Sequence, residues 1–409
     1  MDDIIKYYND KTKTLTLPPD FNNSLDNIPD DTKTIIFIDN PNKSIFSKFN
    51  QSVDNLPESL THISFGCSFN QKVDNLPKNL THLSFFDTEF TQKVDNLPET
   101  LTHLTLSLYF DEPVDNLPKS LTDLTFGWYF DLPVDNLPLS LIHLTFGYEF
   151  NQTVDKLPQK ITHLTFGRMF NKRVDNLPES LIYLTFGYWF NQSVDNLPKN
   201  LTYLTFGFEF NYNVDKLPKS LTHLTFGTCF NEPVNNLSKK LIHLTFGDKF
   251  NKSIDKLTDN LTHLNFGKRF NKSIDKLPKK LTHLTIGKNF NQNVDNFPEN
   301  LTHMTFTNYN KLLENLPKTL IYLNINKILN NITIPKNIKE LCIFHKNILL
   351  NNLPEHIEKL FIIFSENKKN NKMVSNLPLT LKEIVIKKKY KKYVKVPFNT
   401  TLTFLNFYN

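Results

Sequence analysis

Residues Phe150 to Gly167 read FNQTVDKLPQKITHLTFG, and the next unit starts again at Phe170. Thirteen such units begin at Phe49, Phe69, Phe90 and then every 20 residues to Phe290, with one extra residue between Phe69 and Phe90. A fixed period of this length is the signature of a solenoid, in which each unit buries its apolar face only against its neighbours. Within a unit such as Leu221–Gly227, Leu224 and Phe226 alternate with His223 and Thr225. That alternation is strand periodicity, with Leu and Phe inward and His and Thr on the opposite face. All 10 glycines fall in one slot, after the Phe (Ile286 in the last case), from Gly66 to Gly287, and Phe86, Ser107 and Thr307 also occupy it. Glycine there serves either a positive φ or a close backbone approach.

After two variable residues come Phe-Asn and then Val-Asp or Ile-Asp, and Asn and Asp beside such anchors are expected to bond the turning backbone. Asn/Lys-Leu-Pro leads back to the next strand, and proline favours an extended return over a helix. The divergent ends keep the core rule: Leu15-Leu17 and Ile35-Phe37 before the regular units, and Leu320-Leu323-Ile325, Ile338-Leu341-Ile343, Ile357-Leu360-Ile362, Leu381-Ile384-Ile386 and Leu402-Leu405-Phe407 after them. The expected chain is one elongated, mainly β domain of about 20 coils, each strand spaced about 4.8 Å from the next. It divides into degenerate capping repeats over 1–48, regular repeats over 49–309, and divergent repeats with a Lys-rich cap over 310–409, as terminal coils of solenoids are usually atypical.

The string FNxxVDNLPxxLTHLTFG closely resembles the FNIP repeat, a family of amoebal proteins and giant viruses of amoebae grouped with leucine-rich repeats. The resemblance is strong over about Phe49 to Phe306. It implies a right-handed coil with one long parallel sheet on the concave side and extended or 3₁₀ segments on the convex side. It also implies a protein partner, in some members as F-box adaptors that choose substrates for a ubiquitin ligase. Residues 1–48 read as degenerate repeats and hold no helical F-box pattern.

Composition narrows the function further. Alanine, the best helix former, is absent. Lys outnumbers Arg 44 to 3, and residues 301–409 carry 17 Lys against 6 Glu, leaving residues 1–300 with 30 basic and 35 acidic residues. Cys67, Cys229 and Cys342 show no C-x-x-C or metal spacing, which fits a reducing compartment. No apolar run is long enough for a transmembrane helix, and Met1 to Asp10 does not read as a signal peptide. A cytoplasmic location, in the host if the chain is viral, is therefore expected. No P-loop, G-x-S-x-G or H-E-x-x-H motif is present, and no cofactor is expected.

Four features compete as functional. His143, His163, Tyr183, Tyr203, His223 and His243 belong to one outward column that runs from His62 to His303, with Asp123 interrupting it. The plainer reading is a ladder copied with the repeat that covers the sheet; stacked imidazoles would also resist joint protonation, making the column pH-sensitive, and adjacent ones could in principle bind zinc. The variable pair after glycine supplies Tyr109, Trp128, Tyr129, Tyr148, Arg168, Tyr188, Trp189 and Phe208, then turns basic at Lys249, Lys268, Arg269 and Lys288. These side chains either fold back onto the core or stand out as a ridge, and exposed Trp, Tyr and Arg mark binding hot spots. The Asp slot, Asp54 to Asp295 with Asn235 as its exception, reads as turn capping rather than a calcium row. The Lys-rich end, with Tyr390 and Tyr393 between lysines, could contact nucleic acid, though a solvated cap is the plainer reading. The leading expectation is a non-enzymatic protein-binding scaffold that uses its concave face and aromatic edge, with a host protein as possible partner. A ligase adaptor, a nucleic-acid binder and a structural particle component are the alternatives.

Overall fold

The computed structural model describes residues 4–39, 42, 44–294, 296–307, 316–325, 334–345, 353–364, 373–375 and 377–405. It divides into two compact units, Met1–Tyr212 with Lys216–Ser220, and Asn213–Asp215 with Leu221–Asn409. Each unit is a β-solenoid, with ten of the described strands in parallel register. In the first unit these run from Thr14–Leu17 to Tyr203–Thr205, and in the second from His223–Thr225 to Thr401–Phe404. Register follows the repeat directly, with His143 opposite His163 and Leu144 opposite Leu164. Across the extra residue it shifts by one, so His82 opposes His103.

The strands are short because only the middle of each Leu-x-x-Leu-x-Phe segment alternates. His163–Thr165 is half-buried, buried, half-buried. Before it, a turn anchored by a Leu/Ile N–H to the Pro carbonyl three residues back brings the chain round, as in Leu181 to Pro178 at 3.1 Å. The return segments are extended with turns. The described 3₁₀ helices, Ile4–Tyr7 and Lys388–Tyr393, lie at the two ends of the chain.

Two phenylalanine stacks form most of the core. Phe49, Phe69, Phe90 and their successors to Phe210 are almost fully buried, with ring centroids 6.0–6.4 Å apart. The strand phenylalanines, such as Phe146, Phe166 and Phe186, repeat at 5.6 Å and pack 3.7–3.8 Å from the first stack. On the opposite side of the sheet, His62, His82 and His103 stack at only 4.0–4.1 Å. Spacing that grows from the His side to the Phe side means that the coils of this unit fan, with the sheet inside. The second unit repeats the gradient, 4.0–4.5 Å from His223 to His303 against 6.0–6.2 Å from Phe230 to Phe290.

The glycine slot resolves in favour of close approach. No glycine has positive φ. A Cβ on Gly147 would lie 1.6 Å from the carbonyl oxygen of Gly127. The backbone of one coil therefore sits where a side chain would be. The exceptions follow the inserted residue. Asp87 takes left-handed backbone (φ 59°), Phe86 turns out to solvent, and Ser107 in the next coil is buried with its hydroxyl on the Phe90 carbonyl.

The Asn and Asp columns act between coils as well as within turns. Asn151 Oδ1 accepts from the Asn171 N–H, and Asn171 Oδ1 from the Asn191 N–H, both at 2.9 Å. Asp155 and Asp175 accept from the side-chain amides of Asn176 and Asn196 in the following coil. Local capping persists beside this, as where the Asp275 N–H bonds Ser273 Oγ. The expectation of turn capping thus captured only half of the role. Asp295 and Phe407 lie outside the described residues.

At the N-terminal end, Tyr8–Asn9 pairs antiparallel with Thr14–Leu17, an addition absent from the sequence reading. At the C-terminal end the Lys-rich segment is the 3₁₀ turn Lys388–Tyr393, with Tyr390 buried 5.0 Å from the Phe364 ring. Among the described residues no helix is long and apolar enough to cross a membrane.

Candidate interaction surfaces

Immediately after the glycine slot, the backbone of each coil is tied to the one before it. The N–H groups of Glu149, Met169, Trp189 and Glu209 donate to the carbonyls of Trp128, Tyr148, Arg168 and Tyr188 at 2.8–3.0 Å. This fixes successive side chains in one column at stacking distance. Trp128 stacks on Tyr148 at 4.5 Å, the Arg168 guanidinium lies 5.3 Å from Tyr148 and 4.5 Å from Tyr188, and Tyr188 stacks on Phe208 at 4.5 Å. The result is one continuous ladder of five side chains with a cation at its centre. Beside it, Tyr109 stacks on Tyr129 at 5.3 Å, and Trp189 meets Tyr188 edge-on at 5.0 Å.

None of these eight residues is buried. Trp128, Tyr129 and Tyr109 are 45–48% exposed, whereas Tyr148, Tyr188 and Phe208 are half-buried between their neighbours. The rings thus divide into an exposed group and a half-buried one, and none enters the buried core. Each aromatic contact contributes about 0.5–1.5 kcal/mol beyond area, and each exposed cation–π contact about 0.5–1 kcal/mol. Because ring faces are used up along the ladder, ring edges and hydroxyls are what it presents outward.

On the sheet face, His62–His82–His103 form a second stack. The Thr81 hydroxyl lies 3.0 Å from the Thr61 carbonyl and 2.9 Å from His82 Nδ1. Its single proton goes to the carbonyl, so it must accept from His82, which places the imidazole proton on Nδ1 and leaves Nε2 as an outward acceptor. His283 repeats this arrangement through Thr282. Where Ile142 replaces the threonine, His143 instead bonds Asp123 through Nδ1 at 2.6 Å, and Asp123 also lies 3.4 Å from His103 Nε2. The column then continues through His163, Tyr183 and Tyr203 at 4.3–4.6 Å. In the second unit, His223 and His243 begin a run that is uninterrupted to His303.

Partial burial, and then neighbouring imidazoles, push the pKa of His62, His82, His163, His223 and His283 down. His263, inside the unbroken run, is pushed down to about 4 by the same causes. Co-facial rings carry their Nε2 lone pairs side by side rather than converging on one ion, so stacking opposes the zinc reading. Among the described residues no group of three or more His, Cys, Asp or Glu side chains could hold a metal. At the N-terminal end of this face, Thr34, Ile36, His62, Ser64, His82 and His103 line a shallow depression of about 400 Å³.

At the basic end, Tyr393 is half-buried between exposed lysines. Tyr390 faces the core, so it offers no stacking platform, and Lys339, Lys359 and Lys382 are paired with Glu358 and Glu383.

The model of the FNIP Repeat matches overlapping segments from residue 49 to 229, and again over 254–289. The chain belongs to the FNIP repeat family. This FNIP chain is also similar to the crystal structure of CroV588, described as a novel circular LRR protein, with 32% identity and a TM-score of 0.74 over 97% of this chain and 70% of that one. The TLR13 chain of a TLR13–ssRNA13 complex shares the fold at 15% identity and a TM-score of 0.50, over 95% of this chain and 72% of that one. No curated protein matches the FNIP chain. Its repeats thus form a leucine-rich-repeat-like scaffold of the kind usually used for binding.

Proposed function

We propose that this FNIP protein is a non-catalytic scaffold that binds a protein partner through the ladder Trp128–Tyr148–Arg168–Tyr188–Phe208, flanked by Tyr109, Tyr129 and Trp189. The observation that carries this reading is that five consecutive variable positions form an ordered, solvent-facing stack that the fold itself does not require. Trp, Tyr and Arg held rigidly in advance lose little entropy on binding, which is what hot spots need. The neighbouring column His143–His163–Tyr183–Tyr203 extends the surface onto the sheet face.

The family's occurrence in amoebae and their viruses directs the search to an amoebal host partner. The test is capture from amoebal lysate by the wild-type chain and by Trp128→Ala/Tyr148→Ala/Trp189→Ala, checked for native circular dichroism. Partners held by the wild type and lost by the folded triple variant are expected. Equal capture by both would remove the ladder as the binding site. A ubiquitin-ligase linker subunit among the lost partners would assign the adaptor role.

A further inference from the structure

Net charge changes sign along the chain. Residues 1–150 hold 10 basic and 22 acidic side chains, whereas residues 151–409 hold 37 basic and 19 acidic ones. In the first unit the rim positions carry Asp87, Glu89, Asp111, Glu112 and Asp131, the first three exposed and the last two half-buried. In the second unit the pair after the glycine carries exposed Lys249, Lys268, Arg269 and Lys288. In the slot two residues after the repeat Phe, the first unit has Glu112 and Lys172, and the second has Glu232, Lys252 and Lys272. Asp248 offsets part of this charge through its 2.5 Å pair with Lys268.

The acids are placed by the repeat and are not needed for it. Asp111 and Asp131 occupy the column that is asparagine in most regular coils, and serve the same bond, since Asp131 Oδ1 accepts from the Asn151 N–H at 2.7 Å. An asparagine there would make that bond equally well, so the negative charge has no role in the stack. Asp111 and Asp131 each follow an exposed ring, Tyr109 and Tyr129, by two residues in the chain.

We propose that the acidic, aromatic rim of one copy docks against the basic rim of a second copy. The reading rests on the rim being a protein-binding surface, and commits it to one occupant. The argument is charge complementarity: the slot before the repeat Phe is Glu89 in the first unit and Lys249 and Arg269 in the second, and every chain carries both an acidic and a basic stretch on coils of the same period. Aromatic side chains supply desolvated area, and opposite charges set register and exclude wrong pairings.

The test is sedimentation velocity over about 1–100 µM chain, at about 50 mM and about 1 M salt. Two variants separate the halves: Glu89→Gln/Asp111→Asn/Glu112→Gln/Asp131→Asn, which keeps the hydrogen-bond acceptors, and Lys249→Glu/Arg269→Glu/Lys288→Glu. The wild type is expected to self-associate at low salt and to dissociate at high salt. Each variant alone is expected to weaken self-association by about tenfold or more. An equimolar mixture of the two, in which one keeps its basic rim and the other its acidic rim, is expected to associate more tightly than either alone. A wild type that stays monomeric throughout, self-association unchanged in both variants, or a mixture no stronger than its components would each overturn the proposal. Monomeric behaviour combined with ladder-dependent capture from lysate would leave the binding surface standing and assign it to a foreign partner.

Discussion

A buried aromatic stack and a rim stack run through the first unit on the same period, and only the buried one is explained by folding. Phe150, Phe170 and Phe190 stack inside, fully buried, at 6.1 Å. Trp128, Tyr148, Arg168, Tyr188 and Phe208 stack on the rim, closer together, with Trp128 and Arg168 exposed and the other three half-buried. The inner stack is uniform because each ring faces an identical ring in each neighbouring coil, and any other side chain would leave a void. The rim stack is uniform in geometry and mixed in identity, since water accepts any side chain there. What unites them is the coil-to-coil backbone bonding, which sets the spacing for whatever side chain the sequence supplies. Composition at the rim is thus free to answer to a partner.

That contrast is sharpest in stability. Phe170→Ala removes a ring held 3.7 Å from Phe166 and flanked by Phe150 and Phe190, and is expected to cost about 3–5 kcal/mol. Tyr188→Ala on the rim, which removes its contacts with Phe208, Trp189 and Arg168, is expected to cost less, about 1–2 kcal/mol. Denaturant titration of both variants checks the pair, and comparable losses would mean that the rim is structural after all. Gly147→Ala should fall between them at about 1–3 kcal/mol. Its Cβ meets the Gly127 carbonyl at 1.6 Å, so the two coils must separate. A neutral result in the same titration would show that the slot does not require close approach.

The fold was legible because the repeat makes each positional inference thirteen times over. Leu224 and Phe226 could be placed inward and His223 outward from alternation alone, and the strand His223–Thr225 sits where that alternation puts it. What could not be read was direction between coils. Asn171 looks like a turn residue, and only the three-dimensional stack shows that its amide oxygen serves the next coil. The added pair Tyr8–Asn9 was invisible because two residues carry no periodicity. At the rim, the sequence supplied the positions and left open whether the side chains faced water. That choice depends on the angle at which the chain leaves the strand, which no spacing encodes. The lysines around Tyr390 concealed its role in the same way, because a buried anchor within a charged run reads like an exposed one.

The smallest expected effect compares the two histidine columns. In the first unit Asp123 interrupts the run and accepts a hydrogen bond from His143, whereas in the second His223 to His303 are uninterrupted. His263 is held down to about 4 in the folded chain, chiefly by partial burial and then by its neighbours. Below pH about 6.5 the unfolded chain binds a proton there that the folded chain refuses, so stability falls as pH drops from about 6.5 towards the folded value. His223 and His283 add to the loss in the same direction. Carboxylates with depressed pKa, such as Asp248 and Glu358, lose their contribution only at lower pH, which leaves the interval from pH 6.5 to 5 to the histidines. The wild type is therefore expected to have a lower thermal midpoint at pH 5 than at pH 7. His263→Tyr, a residue this slot already accepts at Tyr183 and Tyr203, should narrow that gap by removing the central imidazole. Equal midpoints at the two pH values in the wild type, or an unchanged gap in the variant, would show that stacking leaves these imidazoles free to protonate, and would separate the column's shape from any role in sensing pH.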